Sequence, residues 1–145
     1  MTFKGKELAS SAMMLINKNE VLYEIKAELE VQKEKLGVHY PNKYYSKIVT
    51  LIEENLSSED DWKIFQANFD LIHESFFRNL KSQDPDLTPN DLKICSLLRL
   101  NLTTKDVANF LGISPRGVEI ARYRLRKKLH LPTDKNLVDF LIEFK

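Results

Sequence analysis

Apolar residues return at helical intervals along most of the chain, and no segment of strand length alternates apolar with polar residues. With only four glycines and five prolines to interrupt it, this pattern predicts an all-α protein. The first helix is expected from about Lys4 to Leu36, where Leu8, Leu15, Leu22, Leu29 and Leu36 recur at every seventh residue. With those leucines at one seam position of a coiled coil, Ala12, Asn19, Lys26 and Lys33 take the other, and a buried Asn19 favours a paired register. Met13, Met14, Ile16, Val21, Tyr23 and Ile25 widen the apolar face beyond a simple seam, which suits packing against further helices. We therefore expect a helical bundle formed between two chains, with Leu8, Leu15, Asn19, Leu22 and Leu29 as dimer contacts. A bundle within one chain would use the same faces.

Gly37 ends that helix, and Tyr40, Pro41 and Asn42 turn into a second one of about four turns carrying Tyr45, Ile48, Leu51, Ile52 and Leu56. Ser57 and Ser58 offer an N-cap for a third, whose acidic first turn, Glu59 to Asp61, suits the helix dipole. Trp62, Phe65, Phe69, Ile72, Phe76 and Leu80 keep helical spacing along it and read as core. The polar turn Asp84-Pro85-Asp86 marks the expected boundary between a helical dimerisation and signal-transmitting region, 1–84, and a C-terminal domain, 85–145.

Charge separates the two regions. From Leu87 onward there are 11 Lys/Arg and 6 Asp/Glu, a net of +5, against 11 and 15 before it, within an overall net charge of +1. Arg122, Arg124, Arg126, Lys127 and Lys128 supply much of the excess in one run, and such a run needs a polyanion or acidic neighbours to offset its repulsion. Duplex DNA is the partner to test. The single Cys95, flanked by Ile94, Leu97 and Leu98, reads as a small buried filler. His73 beside the aromatic stripe reads as structural, and neither His39 nor His130 completes a metal spacing with it. No glycine-rich phosphate loop and no nucleophile with a positioned base occurs, so no enzyme activity and no cofactor are expected. No membrane segment or signal peptide is present in the sequence, which predicts a cytoplasmic chain.

The punctuation after Leu87 defines four short helices. Thr88 caps the first with Pro89 at its start, Thr103 or Thr104 the second, and Ser114 the third with Pro115; Thr133 or Asp134 opens the fourth. The second, Lys105 to Leu111, stops at Gly112, and Ile113 and Ser114 turn into the third, the layout of a helix-turn-helix. Rotation of 100° per residue puts Val118, Ala121, Leu125 and Leu129 on the buried face of the third helix. Arg116, Ile120, Tyr123 and Lys127, flanked by Glu119 and Arg124, then face outward and suit a major groove. Arg122 falls nearer the buried side, where an intramolecular pair is expected, and Thr103, Thr104 and Lys105 are placed to hold phosphates.

Leu87-Thr88, the run from Thr103 to Ala108, Ile113-Ser114 with Val118, and Lys128-Leu129 resemble the LuxR-type helix-turn-helix domain in spacing and residue type. Gly117 and Ala121 depart from the threonine and histidine usual there, and Glu119 stands where the family is often basic. The upstream helices, with a W-x-x-F-x-x-x-F run from Trp62, are similar to the cytoplasmic C-terminal part of Bacteroidetes membrane sensor-regulators of triple-tyrosine or tetratricopeptide-repeat type. The resemblance implies a homodimeric transcription regulator, the C-terminal part of a longer protein and the cytoplasmic tail of an inner-membrane one, with RNA polymerase as a further partner. Two other readings stay open. One is sigma-factor-like promoter recognition, from ARYRLRKKL; the other is a protein-interaction module with a degenerate helix-turn-helix.

Overall fold

The computed structural model describes residues 3–37, 42–56 and 59–145. Among them are eight helices and no strand: α1 Phe3–Leu36, α2 Asn42–Asn55, α3 Glu59–Ile72, α4 Phe76–Gln83, α5 Pro89–Arg99, α6 Thr104–Leu111, α7 Pro115–Lys128 and α8 Leu137–Glu143. The chain is all-α, as its periodicity requires. His39, the Tyr40-Pro41 turn and the Ser57/Ser58 cap fall outside the described residues.

The long helix α1 is the spine of the first half. Lys26 pairs with Glu53 at 3.1 Å and the Lys33 ammonium lies 4.2 Å over the Tyr45 ring, so α2 runs antiparallel along the C-terminal half of α1. Lys18 meets Asp61 at 2.7 Å, and α3 continues the same path toward the N-terminus of α1. The leucine repeat is therefore largely consumed within the chain. Leu8 and Asn19 are buried, Leu15, Leu22 and Leu29 are half-buried, and only Leu36, at the far end, is exposed. The Asn19 amide donates to the Asn109 carbonyl of α6 at 3.3 Å, a partner 90 residues away that no heptad could announce.

The aromatic stripe, which by spacing alone reads as one helix from Trp62 to Leu80, is broken at 73–75. Ser75 takes a left-handed φ of 69°, which costs a non-glycine residue about 1–2 kcal/mol. Ring packing offsets that cost. Phe76 and Phe77 both lie on Phe69, with centroids 5.6 and 5.1 Å away, and Phe76 also meets Phe144 beyond α8 at 5.9 Å.

One apolar core spans the expected boundary at residue 84. It runs from Leu8, Ala12 and Ile16 through Trp62, Phe65 and Phe69 into Leu87, Leu97, Val107, Phe110, Leu125 and Leu141. The Phe110 ring of α6 receives Trp62 and Phe65 edge-on at 6.5 and 5.3 Å. The Asp84-Pro85-Asp86 turn redirects the chain without dividing its interior, and Lys81 Nζ holds the Pro85 carbonyl at 2.7 Å.

Arg99, at the end of α5, ties the halves together. Its guanidinium lies 4.6 Å over Phe76, its Nε donates to His73 Nδ1 at 3.0 Å, and Nη1 donates to the carbonyls of Leu141 and Phe144. His73 also stacks on Phe69 at 4.5 Å. Burial, and then the Arg99 charge, push the His73 pKa below its usual 6.5. A base held neutral in this way contributes stability that is complete above pH 6.5 and is lost as pH falls through 6.5 toward the folded value. Urea midpoints should therefore drop between pH 7 and 5.5, and His73→Gln, which keeps an acceptor for Arg99, should show a smaller drop. An equal drop in the variant would assign the acid sensitivity to other groups.

Candidate nucleic-acid interface

Local chemistry sets every helix start in the C-terminal half. Thr88 with Asp91 and Thr103 with Asp106 form reciprocal capping boxes; Ser114 Oγ accepts from the Gly117 amide at 3.0 Å, and Pro89 and Pro115 open their helices. Gly112 closes α6 at φ 69°, a left-handed turn that glycine adopts without a Cβ penalty. The fourth helix starts later than expected. Its N-cap is Asn136, not Thr133 or Asp134, because the Pro132, Thr133 and Lys135 carbonyls turn inward onto the Arg126 guanidinium and hold those residues in a turn.

The two faces of α7 separate as the projection requires. Val118, Ala121, Leu125 and Leu129 are buried, while Arg116, Glu119, Ile120, Tyr123, Arg124 and Lys127 are exposed. Tyr123 and Lys127 pair across one turn, with the Lys127 ammonium 4.5 Å from the ring centroid. The adjacent Lys127 ammonium holds the Tyr123 phenol below its usual pKa. Beyond them, at the C-terminal end of α7, lies an open hollow of about 510 Å³ lined by Tyr123, Arg126, Lys127, His130, Leu131 and Thr133. Sequence reasoning missed His130 here. Its φ of 55° marks the sharp turn after Leu129, and nothing in residue type or spacing signals that turn beforehand.

The basic run is not a uniform surface. Arg122 Nη1 donates to Thr104 Oγ1 at 3.1 Å, joining α7 to the start of α6, which is the intramolecular contact expected of it. Arg126 is committed to the α7–α8 turn, and Lys128 Nζ lies 2.6 Å from the buried Asp91 carboxylate. Arg124 and Lys127 remain outward, and Arg116 and Lys105 join them as exposed cations around Glu119. The three α6 positions differ. Lys105 is exposed, the Thr103 hydroxyl accepts from the Asp106 amide at 3.1 Å, and the half-buried Thr104 hydroxyl is engaged by Arg122. Through their side chains Thr103 and Thr104 therefore shape the helix start, while first-turn amides such as those of Thr104 and Lys105 have no acceptor within a helix.

The surface thus joins long cations, one carboxylate and two large apolar side chains on a convex helix whose opposite face is locked into the core. That combination can donate to phosphates and base edges, accept one donor, and contact a methyl group. The chain matches no protein-family model, and no curated protein or solved structure matches it.

Proposed function

We propose that α6, the turn at Gly112–Ser114 and α7 are a LuxR-type helix-turn-helix, and that the protein is a sequence-specific, dimeric transcription regulator reading duplex DNA. The observation that carries this reading is the exposed row Arg116, Ile120, Tyr123 and Lys127 on a helix whose other face is buried. In this reading α7 enters the major groove. Arg116, Arg124 and Lys127 donate to guanine edges or phosphates, Glu119 accepts from a cytosine amino group, and Ile120 or Tyr123 touches a thymine methyl. The N-terminal turn of α6, with Lys105, approaches a phosphate. The helices before Asp84 transmit an upstream signal through the packing of α1 on α6, and RNA polymerase is the downstream partner.

The test is binding to random-sequence duplex DNA across a salt series, with an Arg116→Ala, Tyr123→Ala, Lys127→Ala variant alongside. Wild type should show a steep negative slope of log affinity against log salt. The variant should bind more weakly, with a slope shallower by about 2 if both lost cations contact phosphate. A folded wild-type protein that binds no DNA at low salt would sink the reading and favour a protein partner for this surface.

A further inference from the structure

A second surface lies away from α7. Val21 and Ile25 of α1, Ile48 and Leu51 of α2, and Ile64 and Leu71 of α3 are between 38% and 83% exposed. Single apolar side chains at a surface are ordinary, but six of them in three packed helices raise the question of a shared face.

The helical repeat puts them on one flank. Lys26–Glu53 and Lys33–Tyr45 define the seam of the antiparallel α1–α2 pair. From that seam, 100° per residue turns Val21 and Ile25 on one helix, and Ile48 and Leu51 on the other, roughly 60–160° to the same side. Asp61, which pairs with Lys18 on this side, lies within roughly 60–80° of Ile64 and Leu71 around α3. The far side is occupied, since Asn19, roughly 120–160° around α1 from Ile25 and Val21, reaches Asn109, and Trp62 reaches Phe110, both on α6. The exposed stripe thus runs along the side of the helical layer that faces away from α6 and α7.

We propose that this flank pairs two copies of the chain about a two-fold axis. The layer is roughly 40 Å long and two helices wide, about 700 Å² per copy, against the roughly 800 Å² per partner of a stable interface. Its charge also suits self-association. A two-fold axis brings a surface against itself, so an unbalanced charge would meet its own copy; here the ion pair on the flank, Lys18–Asp61, is internally neutral. The surface lies about a quarter turn around α1 from the heptad leucines, which, Leu36 apart, the chain's own helices largely cover.

Sedimentation equilibrium of the full chain tests the pairing, with Ile25→Glu/Ile48→Glu as the disrupting variant and Ile48→Gln as a neutral one. Both changes fall at exposed positions, and circular dichroism checks that the helices persist. Wild type should dimerise in the micromolar range, the double variant should weaken dimerisation at least 100-fold, and Ile48→Gln should fall between them. A nitroxide on Ile48→Cys gives an independent readout, because the native Cys95 is buried, with its thiol pKa pushed up to about 12, and stays unlabelled. The inter-copy label distance should be shorter than the roughly 40 Å length of the layer. A wild type that stays monomeric at millimolar concentration, or a dimer indifferent to both variants, overturns the proposal. Loss of DNA binding has a separate meaning: if no variant binds DNA while dimerisation still depends on Ile25 and Ile48, the pairing stands and the DNA reading fails.

Discussion

Phe69→Ala is expected to lower the unfolding free energy by about 3–5 kcal/mol, the range for emptying an aromatic site in a packed core. Phe69 has no exposed surface and touches the rings of Phe65, His73, Phe76 and Phe77 at centroid distances of 4.5 to 5.8 Å. Those rings come from both sides of the bend at Ser75, so alanine would also remove much of what offsets the left-handed residue. Urea unfolding by circular dichroism measures the loss. Because the core is continuous from α1 to α8, far-UV ellipticity and Trp62 fluorescence should lose their native signals at one shared, lowered midpoint. Two separated transitions, with only the fluorescence shifted, would show that the halves unfold independently.

The Asp91–Lys128 pair should produce the next largest effect. Asp91 is 2% exposed, and its carboxylate accepts from the Thr88 amide at 2.9 Å and from Lys128 Nζ at 2.6 Å. Burial pushes this carboxyl up, but the Lys128 and Thr88 hydrogen bonds and the Lys128 charge together hold it below its usual 3.8. Lys128→Met leaves a buried carboxylate without its cation. The cost should be about 2–3 kcal/mol, under the full value for a wholly buried pair because the lysine side chain is 28% exposed. Asp91→Asn should cost a similar amount, and the double variant less than the sum of the two. A carboxyl with a depressed folded pKa contributes stability that is complete above about pH 4 and lost as pH falls through the folded value. Wild type should therefore lose stability below pH 4 more steeply than Asp91→Asn. The same lysine discriminates between roles for the basic run: with its charge spent on Asp91, Lys128→Met should leave the salt slope of DNA binding where it was, whereas Lys127→Ala should make it shallower. A slope that changes with Lys128 would add that residue to the proposed DNA-facing set.

What could be read from the sequence alone was what depends on near neighbours. The starts at Thr88, Thr103 and Ser114 and the stop at Gly112 are set within three or four residues, and so is the division of α7 into a buried face at Val118, Ala121, Leu125 and Leu129 and an exposed one. The all-helical class follows from the same periodicity. Other features waited for the tertiary structure. A heptad of leucines says that a face must be covered, not by what, and here α2, α3 and α6 cover most of it. Five basic residues in seven positions read as one patch until Thr104, Asp91 and the α7–α8 turn remove three of them through partners 6 to 37 residues away. The break at Ser75 and the core that ignores the turn at Asp84 have the same origin. Short-range signals fix the local conformation, but the partner of an apolar face or a charge is chosen by distant segments that only folding brings together.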